Sequence, residues 1–198
     1  MTIQAGQSLF RSLKALLAGI DHPVLQQFMQ SWPEERPMVR ELATRPLPVL
    51  SWLEEARRNA APEASPVVQF LCNHADELFW SQTYSIADFG EQFLDRYAWC
   101  EIVGQRGVVE SDQIACGFLM LGPDTEYPRH WHAAEEIFIP LSAPSHWVRI
   151  EEGDWTRLKA MDIAHFTANQ PHGLRTGNGP LVAVYFWRGG DLVQKARI

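Results

Sequence analysis

The apolar residues of this chain change their spacing at about Cys100, and that change limits the folds open to it more than any other feature. Before it, Leu9, Leu13, Leu16, Leu17 and Ile20 recur at helical intervals, as do Val67, Phe70, Leu71, Leu78 and Phe79. Helix-start signals accompany them: Asp21 before His22-Pro23, Ser65 before Pro66, and Ser85 three residues ahead of Asp88. Each offers a side-chain oxygen to the unpaired N–H groups of a first turn. The stretches "SWPEERP" and "TRPLP" read as connectors, because proline rings remove helical donors. After Cys100 come short runs, "IACGFLML", "EEIFIPL", "HWVRI", "DWTRL", "DIAHF" and "LVAVYFW", broken by "GPDTEYP", "EEGDW" and "TGNGP". Strands this short and this regularly broken predict a small antiparallel barrel or sandwich. There is no internal repeat and no flexible linker. The reading is therefore a mainly β protein, with a helical region over 1–100 packed against a β-barrel over 101–198.

Charge and cysteine content narrow the function. A net charge of −7 and a pI near 5.5 lack the clustered Lys and Arg that a nucleic acid or an anionic membrane surface requires. Cys72, Cys100 and Cys116 form no C-x-x-C pair, so neither a disulfide framework nor a cysteine-type zinc site is indicated. No run approaches the roughly 20 apolar residues of a membrane span, and Arg11 and Lys14 interrupt the first apolar pattern. These features predict a cytoplasmic protein with a small-molecule ligand.

The chemistry concentrates in "YPRHWHAAEEIFIPL", residues 127–141. Residues two apart on a strand point the same way, so His130 and His132 project together, and Glu136 keeps their parity if the strand is regular. The same parity turns Glu135 toward solvent or the helices. A fourth donor is expected from His172 in "NQPHGLRTG", where Pro171 stiffens the approach and Gly173 leaves room. Imidazole and carboxylate donors suit one divalent transition metal, Zn, Fe, Mn, Ni or Co, without choosing among them.

His130-x-His132-x3-Glu136 followed by His172 resembles the cupin pattern, which implies a double-stranded β-helix barrel holding one metal. The wider set, "CEIVG", "YPRHWHAAEEIF", "PHGLRT" and "VYFWRGGDL" behind a helical half, resembles the bacterial cupin-type dimethylsulfoniopropionate lyases. That resemblance implies cleavage of dimethylsulfoniopropionate to dimethyl sulfide and acrylate. It matches Tyr127 to a family tyrosine and so implies a catalytic base there. The family pattern H-x-H-x3-E-x-Y has Phe138 in its tyrosine place, and Met161 stands where a cupin turn carries glycine. A sulfonium substrate favours aromatic walls, for which Trp80, Tyr84, Trp131, Phe138 and Trp187 are the candidates. His165 is read as a hydrogen bonder behind the site or a structural histidine, and Arg129 and Arg175 as carboxylate-orienting or solvated strand-end charges. The alternatives are a cupin dioxygenase or isomerase on another small carboxylate, or a non-catalytic metal- or ligand-binding cupin. Pairing through an exposed strand would give a homodimer.

Overall fold

The computed structural model describes residues 2–33, 37, 39–142, 146–150 and 152–198. Helix α1 (Ile3–Ala18) starts where Thr2 Oγ1 accepts the Ala5 N–H at 3.2 Å, and it buries Leu9, Phe10, Leu13, Leu16 and Leu17. Helix α2 (Pro23–Met29) starts at His22 without the expected Asp21 cap: the Asp21 carboxylate accepts from the Gln26 side chain instead, at 3.1 Å. Helices α3 (Leu53–Arg58) and α4 (Ser65–Asn73) follow a 3₁₀ turn at Pro48–Trp52. Ser65 lies inside the first turn of α4 and does not cap it.

The predicted apolar stripe through Leu78 and Phe79 is cut short, because α4 ends at Asn73. The His74 ring stacks on Phe70 at 4.3 Å and its Nδ1 lies 2.9 Å from Glu77 Oε1, turning the chain through a 3₁₀ turn at Ala75–Glu77. Helix α5 (Ile86–Leu94) has the expected start, with the Ser85 N–H donating to Asp88 Oδ2 at 2.8 Å. Of the two proline-bearing connectors, "SWPEERP" falls partly outside the described residues.

Nine strands follow among the described residues: β1 (Tyr97–Val103), β2 (Ile114–Leu121), β3 (Glu126–His130), β4 (Glu135–Pro140), β5 (His146–Ile150), β6 (Thr156–Leu158), β7 (Ala164–Phe166), β8 (His172–Thr176) and β9 (Leu181–Arg188). They form two antiparallel sheets, ordered β1-β2-β9-β4-β7 and β3-β8-β5-β6. Strands adjacent in the chain repeatedly land in opposite sheets, and this is the double-stranded β-helix of a cupin. The turn before β7 places Met161 at φ +69°, a left-handed conformation that glycine adopts more easily.

The five-stranded sheet is buried on both faces. Alternate residues Cys100, Ile102, Phe118, Met120, Ile137, Ile139, Val182, Val184 and Phe186 join one apolar cluster with α1, α2 and α4, through Leu13, Phe28 and Leu71 among others. Their neighbours Tyr97, Trp99, Leu119, Phe138, Ala183 and Tyr185 turn inward to a second cluster, where the four-stranded sheet supplies Tyr127, Val148 and Leu174. The helical half thus covers one sheet, and the cavity lies between the two.

Candidate metal centre

His130, His132 and His172 are buried, and their ring nitrogens lie within 4.8 Å of one another. His130 ends β3 directly opposite His172 on β8. The expected regular strand from His130 through Glu136 is absent. A register shift interrupts β3 between Tyr127 and His130, and Trp131 then pairs with Arg197 (N–H to O, 3.0 and 2.8 Å) while the chain crosses to the other sheet. His132 occupies that crossing, and Glu136 arrives on β4, opposite Trp187 and Phe166. Strand parity is therefore not what gathers the donors; the crossing between sheets is. Glu136 Oε2 lies 2.9 Å from His132 Nε2 and 3.2 Å from His172 Nε2.

Each imidazole is oriented twice. Nδ1 of His130 faces Pro128 O at 2.8 Å, that of His132 faces Ala134 O at 2.9 Å, and that of His172 faces Gln170 O at 2.9 Å. A carbonyl oxygen only accepts, so each Nδ1 carries the hydrogen and each Nε2 keeps its lone pair. Each ring also lies along an aromatic one: His130 on Tyr127 (4.2 Å), His132 on Trp187 (4.0 Å) and His172 on Phe166 (4.0 Å, 4° between planes). Three lone pairs and a carboxylate converge without a neutral donor among them, and a divalent cation satisfies all four. Burial, then the neighbouring His172, pushes His130 down to about 3, so it stays an unprotonated donor in ordinary buffers. Burial works to raise the Glu136 carboxyl, but His132 and His172 beside its Oε2 outweigh burial and hold the group well below the usual carboxylate range. The residues present fit a metal.

The adjoining cavity has a volume of about 50 Å³, and Tyr97, Trp99, Arg106, Tyr127, Tyr185 and Trp187 line it together with His130, Glu136 and His172. The predicted aromatics divide. Trp187 lines it. Phe138 is fully buried in the inward cluster, two residues along β4 from Glu136 and opposite Tyr185. Tyr84 sits behind Tyr127, its hydroxyl 3.0 Å from the Tyr127 hydroxyl. Trp131 is half-buried at the sheet crossing and is not part of the lining.

Trp80 is far from any such role, packed between helices and sheet with its Nε1 donating to Ala75 O at 3.2 Å. Glu135 points to the outer face as expected, bonded to Arg188 Nε (2.7 Å) and His165 Nε2 (2.6 Å), and Arg188 reaches Gln27 of α2. His165 therefore belongs to the sheet's helical side. Arg129 pairs with Glu152, and Arg175 lies over Trp147 and Trp155, both outside the cavity.

The sequence reading passed over Glu101, Arg106 and Tyr185. Glu101 is 2% exposed, and its carboxylate accepts from the Arg106 backbone N–H (2.7 Å), Arg106 Nε (3.1 Å) and the Tyr185 hydroxyl (3.3 Å). Burial raises its pKa, with Arg106 opposing. The available signal was an acid between Cys100 and Ile102 in a strand buried on both faces. Arg106 and the C-terminal Gln194 gave none.

Comparison with known proteins agrees with this architecture. The dimethylsulfoniopropionate lyase family model matches residues 21–183. The chain belongs to that family. It is 32% identical over 110 residues to dimethylsulfoniopropionate lyase DddQ of Ruegeria pomeroyi, covering 56% of this chain and 54% of that protein. It is 29% identical over 128 residues to the putative dimethylsulfoniopropionate lyase DddL of Cereibacter sphaeroides, covering 61% and 50%. In these alignments the chain spans about half the length of the curated relatives it matches. The crystal structure of DddQ from Ruegeria pomeroyi superposes with a TM-score of 0.86 at 25% identity, over 100% of this chain and 97% of that one. A structure from the set of DMSP lyases RdDddP and RnDddQII shares the fold, with a TM-score of 0.85 at 24% identity over 100% and 99% of the two chains.

Proposed function

We propose that this chain is a metal-dependent lyase that cleaves dimethylsulfoniopropionate to dimethyl sulfide and acrylate. What carries the reading is the cluster of three histidines, each with Nδ1 tied to a carbonyl, and two of them, His132 and His172, with Nε2 at Glu136, beside a tyrosine-lined cavity in a chain of this family. His130, His132, Glu136 and His172 would hold the ion. When bound, it supplies Lewis-acid stabilisation of the negative charge that develops as the α-proton leaves. Any of Zn, Fe, Mn, Ni or Co suits these donors.

Tyr127 is the proposed base. In the elimination its oxygen takes the α-proton, the C–H pair forms the new double bond, and the C–S pair departs with neutral dimethyl sulfide. Burial, before any other cause, holds the Tyr127 phenol well above its ordinary pKa, and Tyr84 holds its hydroxyl in place. Proton removal there needs the field of a cation close by. Phe138 provides no hydroxyl at the position where the family pattern has tyrosine, and Tyr127, whose ring lies on that of His130 at 4.2 Å, takes the role of base in this reading. The ring of Trp187, which lines the cavity as Phe138 does not, is the proposed apolar contact for the sulfonium methyls.

The deciding experiment incubates metal-reconstituted protein with dimethylsulfoniopropionate and measures dimethyl sulfide. Release by the wild type is expected. Tyr127→Phe should lose about 10²-fold or more in kcat with metal content unchanged, while His172→Ala and Glu136→Ala should lose the metal itself. Full metal loading with no release from wild type or Phe138→Tyr would reject the lyase reading.

A further inference from the structure

The cavity has a polar wall that the proposed elimination leaves without a task. Arg106 is the single Lys or Arg among the residues lining it. Its guanidinium is fixed from several sides: Nε and Nη2 lie 3.1 and 3.0 Å from Glu101 Oε2, Nη2 donates to Leu192 O at 3.2 Å, and the cation rests 4.5 Å over Trp99. Its side chain keeps 30% exposure.

The backbone is shaped to hold the partner carboxylate. Glu101, Gly117, Tyr185 and Phe138 form one row across β1, β2, β9 and β4. Gly117 contributes no side chain, so the Tyr185 hydroxyl reaches across it to Glu101. A Cβ on Gly117 would fall 2.1 Å from Cys100 O, and one on Gly104, at φ +142°, 2.4 Å from Glu101 Oε1. Two glycines are thus required where this carboxylate sits.

Beside Arg106 the wall presents donors. Trp187 Nε1–H is buried with no partner, an unusual state for an indole. The Gln194 amide oxygen accepts the Ala133 N–H at 2.8 Å, which leaves its NH₂ group for a ligand. The Tyr185 hydroxyl is already spent on Glu101. Donors gathered in a concave site, one of them cationic and preorganised, match a carboxylate.

We propose that Arg106, with Trp187 Nε1–H and the Gln194 amide, forms a binding subsite for the carboxylate of a short aliphatic acid. Glu101 is its positioning residue: it neutralises the arginine while the cavity is empty and fixes the direction of the fork. The subsite rests on the lyase reading for the identity of the acid, and on the cavity's own donors for the binding. It gives the substrate's anionic end a second holder in the cavity that His130, Glu136 and His172 also line.

The test measures binding of propionate and of neutral propionamide by ligand-observed NMR, to metal-loaded and to chelator-treated protein. Propionate should bind in both states and propionamide in neither. Arg106→Gln should weaken propionate by about tenfold or more, with cooperative melting and metal content retained, and Trp187→Phe by a smaller factor. Propionate binding that requires the metal, equals that of the amide, or is unchanged in Arg106→Gln overturns the subsite. Should Arg106→Gln fail to melt cooperatively, unchanged affinity in Trp187→Phe overturns it alone. Binding as expected, with no dimethyl sulfide release, would reject the lyase reading and leave the subsite in place.

Discussion

The two sheets of the barrel meet at one cavity but face different surroundings. The five-stranded sheet is apolar on both sides: one face packs on the helices through Phe28 and Phe186, whose rings lie edge to face at 5.2 Å, and the other lines the cavity. The four-stranded sheet keeps its inward residues apolar, as in Val148 and Leu174, while its outer face carries Arg175 and Arg149 over Trp147 and Trp155. Among the described residues, no helix packs closely on that outer face. His130 and His172 come from the uncovered sheet and Glu136 from the covered one. A metal held by these residues would therefore depend on both sheets keeping their relation, while the larger apolar cluster lies on one side of the barrel.

The largest test of this asymmetry removes the cover. A fragment 96–198, which keeps β1 whole, exposes the outer apolar face of the five-stranded sheet and should aggregate. A soluble, cooperatively melting fragment that binds metal would break the comparison. Within the whole chain, Phe28→Ala should cost about 3–5 kcal/mol by chemical denaturation, since a fully buried ring leaves a cavity at the helix–sheet seam. Trp147→Ala, on the uncovered face, should cost about 1 kcal/mol. Equal costs would mean that the bare sheet carries as much of the fold as the covered one.

Acid should act at the seam between the sheets. In metal-free protein the folded pKa of His130 is about 3 against an ordinary 6.5, so the unfolded chain takes up that proton first. Stability is unaffected above about 6.5 and falls as the pH drops from there toward 3, by about 2 kcal/mol at pH 5. Glu136, whose carboxyl is held below its ordinary value, adds a further loss once the pH falls below 4.5. Denaturation midpoints of metal-free protein between pH 7 and 4 measure this, and His130→Asn should flatten the upper part of the profile. The smallest effect is expected at Glu135→Gln. Its partly exposed pairs with Arg188 and His165 are worth about 1 kcal/mol or less, and metal content should not change. Loss of metal in that variant would reverse the assignment of inner and outer glutamates.

Much of this organisation was legible in the residues. The change of periodicity near Cys100 separates helices from strands because the two geometries expose apolar faces at different intervals, and α1 follows its stripe closely. The residues that meet, His130, His132, Glu136 and His172, were legible as well, from two histidines and a glutamate in one short stretch and a later Pro-His. Their assembly was not. Parity reasoning reached Glu136 on the premise of one continuous strand, whereas the chain leaves β3 at His130 and enters β4 at Glu135 in the opposite sheet.

The sequence by itself determined which residue types would build the site and which half of the chain would be helical. Tertiary structure decided which side chains enter the cavity. In "LVAVYFW" Val182, Val184 and Phe186 face the helices, while Leu181, Ala183, Tyr185 and Trp187 face inward. Both sets are apolar, so alternation carries no sign of which face is which. For the same reason Trp80 and Trp187 look alike in the sequence, yet one fills the core beneath the helices and the other lies against His132. Gln194 is far along the chain from Glu101 and Arg106, and the three share a wall of the cavity region only because β1 bulges after Glu101 and the C-terminal segment folds back across Ala133. Contacts of that kind depend on chain closure in three dimensions, which local spacing does not record.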